Sequence, residues 1–377
     1  MKISVLILNY NVANFLDLCL ISVSEALKNY NHEIIVVDNA SSDNSLEIIE
    51  KYHQYVILIK NKENFGYPKG NNLGFEKVTG DYLLILNPDV IVPEDLIESI
   101  LKKEETNNQG IAGCYLFDGC GNYLPESKRQ TPTPWVSFTK IIGLYKIFPK
   151  SKWFNQYYAM HLKPNQDGEI DILVGAFMWM KTSLYKSLQG FDENCFMYAD
   201  DIDLSYRAKL LNLNNIYWST PKVLHYKGES SNRDAIYIKR FNEAMQYFYN
   251  KHFKKNILFS ILTKILTHIF TVKKSFEKPI LKKSPQHFFL YPANENLKTK
   301  VSTKLNKSIL SLTDINSHVF TNGSCLIFDQ NNMSFKEILD FMVNNTALGL
   351  TYRIIPKGRN FMIGSDSKNN KGEVIFF

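Results

Sequence analysis

Apolar and polar residues follow one another in regular blocks through the first hundred positions. Ile3–Leu8 is a strand-like apolar run, and Ala13–Lys28 carries Phe15, Leu16, Leu18, Cys19, Leu20, Val23 and Leu27 at helical spacing. Glu33–Val37 reads as a second strand that ends in Asp38, and Ser41–Tyr52 as a helix with Ser42, Asp43 and Ser45 in its first turn. Val56–Lys60 is a third strand, Tyr67–Lys77 a helix with glycines near both ends, and Tyr82–Leu86 a fourth strand. Pro93–Lys103 reads as a helix with proline at its start and Glu94 and Asp95 in its first turn. Such alternation predicts an α/β domain on a mostly parallel sheet. In open sheets of that kind the ligand lies beyond the carboxyl ends of the strands. Asp38 and Asp89 both fall just past such ends.

The pattern continues less regularly. Residues 111–130 read as strand and turn, and residues 134–158 mix aromatics with lysines at helical spacing. Residues 170–181 read as a strand broken at Gly175, followed by helices at Thr182–Leu188 and Asp200–Leu211. Ile216–Trp218 and Val223–Leu224 are short strands, and Ile236–Phe253 is an aromatic-rich helix that closes a domain spanning 1–253. Residues 254–283 form a basic segment in which Ile257, Leu258, Ile261, Leu262, Ile265, Leu266, Ile269 and Phe270 make one apolar helical face. That helix either lies on a membrane surface or packs on its own domain. Residues 284–322 are polar, irregular and linker-like. Residues 323–377 regain order as a small α/β unit, with strands at Cys325–Asp329, Thr351–Ile355 and Asn360–Gly364 and a helix, Ser334–Val343, capped by Ser334. No phosphate loop occurs there, and the unit carries no chemistry that its sequence assigns.

The length of 377 residues suits two domains, and 45% apolar residues suffice for a sizeable core. The net charge of +7 is concentrated after residue 128, in Lys140–Lys152, Lys251–Lys283 and Lys298–Lys307. A basic excess suits an anionic membrane, a phosphorylated substrate, nucleic acid or plain solvation. No recognised nucleic-acid module accompanies it, so nucleic acid is not expected. Five cysteines without a CxxC pair argue against a disulfide framework or zinc site and for a reducing compartment. The opening MKISVLILNYNV reads as a first strand rather than a signal peptide. No run of ~18 apolar residues predicts an ordinary membrane span.

Three acidic points carry the candidate chemistry: Asp38 in VVDNASSD, Asp89 in LNPDV, and Asp200, Asp201 and Asp203 in FMYADDIDLSYRAK. One strand-end aspartate is more often a cap or a turn former. Three of them, with the loop NFGYPKGNNLG at 64–74 between the first two, favour a site. Gly66, Gly70 and Gly74 allow close backbone approach, and Asn64, Asn71 and Asn72 offer donors and acceptors. The loop is neither GxGxxG nor a Walker loop, but beside Asp38 and Asp89 it reads as a nucleotide cradle. Asp203 is expected to cap or to pair with Arg207. Phe177, Trp179 and Tyr198 are read as core, and Lys128 and Arg129 as solvated surface, against the alternatives of a sugar floor and a phosphate contact.

The ordered series SVLILNYN (4–11), VVDNASSD (36–43), NFGYPKGNN (64–72), LLILNPDV (83–90), VGAFMWMKTSLYKSLQGFDENCFMYADDIDLSYR (174–207) and HYKGESS (225–231) resembles family 2 glycosyltransferases of the GT-A fold, in their rhamnosyltransferase-like branch. The resemblance covers about residues 1–250. It implies that Leu8, Tyr10 and Asp38 hold the nucleotide base, with Asn64, Gly66, Gly70 and Asn71 also on the donor. It implies that Asp89 and His225 face a Mg²⁺ or Mn²⁺ ion, which favours oxygen ligands. In the family's DxD-type motif the first acid is here Asn87, which leaves one carboxylate. Asp201 is implied as catalytic base, with Asp200 beside it. The implied reaction is an inverting transfer of a sugar, from dTDP-rhamnose or a UDP-sugar, to a saccharide or polyprenyl-diphosphate-linked acceptor in cell-surface polysaccharide assembly. The implied place is cytoplasmic, peripheral on the inner face of the cell membrane. Two other readings remain: a nucleotide-sugar-binding protein without turnover, and a nucleotidyltransferase, which would want a basic glycine-rich loop where Asn9-Tyr10-Asn11 stands.

Overall fold

The structure is a computed structural model that describes residues 1–103, 108–151, 153–226, 235–253, 285–366 and 372–377. The amphipathic segment expected at 254–283 lies outside the described residues, as does the motif HYKGESS beyond Tyr226.

Strands β1 (Ile3–Asn9), β2 (His32–Asp38), β3 (Ile57–Lys60) and β4 (Tyr82–Leu86) alternate with helices α1 (Ala13–Leu27), α2 (Ser45–Tyr52) and α3 (Tyr67–Phe75). The chain continues through β5 (Val90–Ile91), α4 (Leu96–Leu101), β6 (Gln109–Phe117), α5 (Pro134–Ile141), α6 (Leu144–Ile147), β7 (Gly168–Ile170), β8 (Phe177–Lys181), α7 (Thr182–Ser187), α8 (Asp200–Leu210), β9 (Asn214–His225) and α9 (Ala235–His252). One mixed sheet runs β3-β2-β1-β4-β8-β6-β9-β5, with β7 on β9. Its first four strands are parallel, and β8 runs antiparallel to β4. The expected mostly parallel sheet is thus parallel in four of its eight pairings, and the GT-A arrangement here is a mixed sheet flanked by helices, because β8, β5 and β7 pair antiparallel.

The apolar runs are unbroken because both faces of the sheet are covered. Val5 and Ile7 pack with Leu16, Leu20 and Val23 of α1 on one face, and Leu6 and Leu8 point to the other. There α3 lies so close that a Cβ on Gly70 would come within 2.5 Å of Leu8, and one on Gly74 within 2.4 Å of Leu6. The register Ile3↔His32 to Asn9↔Asp38 brings Asn9 and Asp38 side by side at the carboxyl edge.

Two expectations change. The two short strands at 216–224 are one strand, β9. Its pairing with β6 jumps from Cys114↔Trp218 to Tyr115↔Lys222, so a bulge at residues 219–221 interrupts the apolar pattern without ending the strand. Residues 284–322 are not a bare linker: they hold β10 (His287–Tyr291), α10 (Glu295–Leu305) and β11 (Ile309–Ser311). These elements were hard to see because α10 has only Leu297, Val301 and Leu305 as its apolar stripe, and only Val301 is fully buried. They complete the C-terminal unit with β12 (Ser324–Asp329), α11 (Phe335–Asn344), β13 (Thr351–Ile355), β14 (Phe361–Ser365) and β15 (Glu373–Phe376). Its sheet order is β11-β10-β12-β13-β14-β15. Ser334 caps α11 as expected, within a full capping box with Glu337.

Candidate donor and transfer site

The chain leaves β1 toward β2 on one side and places β4 on the other, so the order reverses between β1 and β4. A crevice for a ligand opens at such a reversal, beyond the carboxyl ends. Asn9, Tyr10, Asp38, Asn87 and Asp89 all lie on that edge.

Asp38 is buried, and each of its carboxylate oxygens accepts one hydrogen bond, Oδ1 from Asn9 Nδ2 at 2.8 Å and Oδ2 from Ser41 N at 2.9 Å, which leaves acceptor capacity on both. Asn11 takes a left-handed conformation (φ 55°) and accepts from Ser42 N at 2.7 Å, tying the β1 and β2 ends together around Tyr10. Asn39 bridges further, donating to Asn64 Oδ1 at 2.8 Å and Gly66 O at 3.2 Å. The glycines of the 64–74 loop are required by close packing within the domain. A Cβ on Gly66 would meet Phe196 O at 2.6 Å, and Leu8 fills the room at Gly70. Asn71 is the loop residue that keeps a free function: it is fully buried, Nδ2 donates to Tyr67 O at 2.9 Å, and Oδ1 has no partner.

Asp89 and His225 come together. Val90 pairs with His225 across β5 and β9, Tyr226 N donates to Asp89 O at 3.1 Å, and His225 Nε2 stands 3.4 Å from Asp89 Oδ1. Both side chains are buried. Two residues earlier, Asn87 Oδ1 is buried without a partner. The carboxylate and imidazole that meet here, with an amide oxygen two residues along the chain, are of a chemistry that fits Mg²⁺ or Mn²⁺. Among the described residues no group of three His, Cys, Asp or Glu side chains converges, so a cation here needs further oxygens from its ligand.

The Asp200–Asp201 pair opens α8. Tyr198 just ahead of it has φ 81°, a strained conformation for a bulky residue that turns the chain into the helix. Arg129 was expected on the solvated surface. It is instead buried, and Nη2 donates to Asp201 Oδ2 at 2.6 Å and to Leu173 O. Gly175 N donates to the same Oδ2 at 3.0 Å, while Asp201 Oδ1 accepts from no described residue. Burial acts to lower the Arg129 pKa, but Asp201 more than offsets it and the net shift is upward. Lys128, also expected at the surface, is 2% exposed and donates to Tyr158 O and Ala159 O at 3.2 and 3.0 Å. Burial pulls its pKa down to about 8. No phosphate contact is needed to explain it.

Asp200 has the opposite environment. Its Oδ1 is buried without a partner, and burial together with the charge of Asp201 raises its pKa to about 7. The folded state therefore prefers the protonated acid. Its contribution to stability is complete below the unfolded pKa of about 3.9 and is lost as pH rises through about 7. Asp200→Asn should stabilise the protein at pH 8, by an amount on the order of a few kcal/mol, and do much less at pH 5. Thermal melts at the two pH values check this; equal gains at both would contradict it. The Tyr67 hydroxyl donates to Gly175 O at 2.9 Å beside the pair; burial and both carboxylates keep it protonated. Asp203 pairs as expected, with Arg207 Nε at 2.6 Å, and also with Lys251 and His252. Phe177 and Trp179 are core; Tyr198 is half-buried.

The glycosyl transferase family 2 model matches residues 4–188, the stretch that supplies the whole β1–β4 edge. A cholesterol galactosyltransferase of Borreliella burgdorferi is 32% identical over 271 residues, covering 67% of this chain and 72% of that protein. The chain belongs to glycosyl transferase family 2. The transferase is also similar to rhamnosyltransferases. Rhamnosyltransferase WbbL of Escherichia coli is 27% identical over 63% of this chain and 89% of its own. The N-acetylglucosaminyl-diphospho-decaprenol L-rhamnosyltransferase of Mycobacterium tuberculosis is 24% identical over 53% of this chain and 68% of its own. Motif reading gave Asn9 and Asn39 no role in this transferase, took Asn87 only as the replaced acid, and set Arg129 on the surface. The asparagines stand at strand ends next to recognised residues, a position that signals them. Nothing in the sequence links Arg129 to Asp201, 72 residues away.

Proposed function

We propose that the transferase catalyses an inverting, metal-dependent transfer from a nucleotide sugar to a lipid-linked or other membrane-held acceptor. The observation that carries this is a pair of acids reached through one turn: Asn87 N, two residues before Asp89, donates to Ala176 O, and Gly175 N to Asp201 Oδ2, while Asp201 Oδ1 accepts from no described residue. Asp38, with Leu8 and Tyr10, would hold the base, and Asn87, Asp89 and His225 would hold Mg²⁺ or Mn²⁺ with oxygens from the diphosphate completing the site. When bound, the cation neutralises charge that develops on the departing diphosphate. The acceptor hydroxyl oxygen attacks the anomeric carbon, the bond from that carbon to the diphosphate breaks, and the hydroxyl proton passes to Asp201. Arg129 and the Gly175 amide hold one oxygen of Asp201 so that the other faces the acceptor. One displacement with one base needs no covalent intermediate and inverts the sugar carbon.

Dispersed features support a membrane-held acceptor. Relatives named for decaprenol-diphosphate and cholesterol substrates share only the lipid character of those substrates. Helices α5 and α6 and the residues after them expose Trp153 (73%), Ile147 (66%), Met160 (57%), Phe148 (48%) and Trp135 (45%), with Lys146 and Lys150 exposed among them. Aromatics and lysines together suit an anionic interface, where each lysine adds about 1 kcal/mol. No helix among the described residues is long and apolar enough to cross a membrane. The donor is dTDP-rhamnose or a UDP-sugar. The test is nucleoside diphosphate release from a panel of these donors plus GDP-mannose, with and without vesicles of the anionic lipid phosphatidylglycerol that carry lipid-extract acceptor. One donor should turn over, faster with vesicles, and Trp153→Glu with Phe148→Glu should remove the vesicle effect while leaving the melting temperature unchanged. No release from any donor, or release indifferent to vesicles and to these substitutions, would count against the reading.

A further inference from the structure

The C-terminal unit has its own reversal point. Parallel strands β11, β10, β12 and β13 stand in chain order 2-1-3-4, so its ligand edge is the carboxyl end of β10 and β12. In this protein that edge faces the catalytic domain. Glu94 occupies the N-terminus of α11, accepting from Phe335 N at 2.7 Å and Lys336 N at 2.8 Å. Lys336 Nζ reaches Asp95 at 2.9 Å. From the loop after β13, Arg359 clamps the buried Asp17 of α1 with Nε at 2.6 Å and Nη2 at 2.8 Å, and stacks over the Tyr52 ring at 3.7 Å. Asp17 also takes His53 Nε2 at 2.6 Å. Gly121 (φ 84°) lies against α11 so closely that a Cβ would meet Met342 O at 2.3 Å. One continuous apolar core runs from Phe117, Leu224 and Tyr226 into Phe335, Ile338 and Met342.

These contacts grip the two arms that carry Asp89 and His225. Glu94 is the third residue after β5, whose first residue follows Asp89. Tyr226 follows His225, bonds Asp89 O through its amide, and meets the Phe15 ring edge-on at 5.2 Å. Gly119 is wedged between the Tyr226 ring and the C-terminal unit: a Cβ there would lie 3.2 Å from Tyr226 and 2.9 Å from Ser365. We propose that the C-terminal unit is a clamp that sets the spacing of Asp89 and His225, with Glu94 and Arg359 as its positioning residues. Its ligand edge is spent on the catalytic domain, and the acid seated at α11 is the place an external anion would otherwise take. The clamp rests on the reading of Asp89 and His225 as the metal and donor arms.

The test uses the full chain, with Glu94→Gln and Arg359→Met. The first keeps the size of the cap and removes its charge; the second leaves Asp17 its His53 partner. Hydrogen exchange of peptides covering 86–92 and 224–226 is read without ligand, with the β1 peptide as internal control. Mn²⁺ affinity is then read in the presence of UDP. Both variants should speed exchange at 86–92 and 224–226 but not at β1, and weaken Mn²⁺ by about 10-fold or more, as loss of outer support around metal ligands does. Unchanged exchange at those peptides in both variants would overturn the clamp, whatever the metal does. Faster exchange with no Mn²⁺ binding even in the unsubstituted chain would instead overturn the donor-site reading and the clamp's purpose with it. A variant that only lowers the melting temperature, with both readouts unchanged, leaves a structural contact and no clamp.

Discussion

Asp201→Asn is expected to lower kcat by about 10³-fold, within the range of about 10²–10⁴ that a positioned general base supplies, while donor affinity stays within about threefold. The substitution keeps the shape of the side chain and its place at the start of α8 but removes the proton acceptor. It also removes the partner of Arg129. That guanidinium is 8% exposed and would be left charged and unpaired, a situation that costs about 3–5 kcal/mol. A stability loss in the single variant is therefore part of the prediction and a complication for its reading. Arg129→Met combined with Asp201→Asn separates the two effects. The pair should recover most of the stability, because a buried ion pair replaced by apolar groups is often neutral, and none of the turnover. If the double variant regains activity, Asp201 matters only as the partner of Arg129 and the base is elsewhere. Asp200 is the neighbouring candidate, with its partnerless oxygen and its pKa raised to about 7. A pH profile of kcat on the Asp201→Asn background would expose it.

The catalytic fold was largely legible because its signals are local and strong. The β1, β2 and β4 runs are apolar on every residue that matters, and both faces of each are covered, so strand and direction follow from the pattern alone. The strand-end acids were legible for the same reason: an unpaired carboxylate does not suit those buried runs, and one appears where the β2 and β4 runs stop. The helix expected at Pro93–Lys103 is shorter, Leu96–Leu101, because Glu94 and Asp95 serve the neighbouring unit rather than the first turn of their own helix. That docking joins residues more than 240 positions apart and leaves no local trace. Arg129 was misread for the same reason. A basic pair before a Thr/Pro-rich turn looks solvated, and only the fold brings it beneath Asp201. The C-terminal sheet was half legible. Its β12 and β13 are apolar and central, whereas β11 is short and α10 shows too thin an apolar stripe to stand out from polar sequence.

Asp89→Ala is expected to weaken metal-dependent nucleotide binding on the order of 100-fold, about 2.8 kcal/mol, and to bring turnover down with it. The motif Asn87-Pro88-Asp89 supplies a single carboxylate, so no second one can compensate. Asn87 and His225 would remain, but neither brings a carboxylate's negative charge to a divalent cation. The fold should tolerate the change: Asp89 lies at the end of a strand, and its backbone carbonyl, not its side chain, holds Tyr226.

The most direct measurement is a calorimetric titration of UDP and of dTDP, each with and without Mn²⁺, into the unsubstituted chain and into Asp89→Ala. One nucleotide should bind tightly only when Mn²⁺ is present, and that increment should vanish in Asp89→Ala. Binding of equal strength with and without Mn²⁺, or an increment that survives the loss of Asp89, would contradict the assignment of this strand end to a metal-held diphosphate.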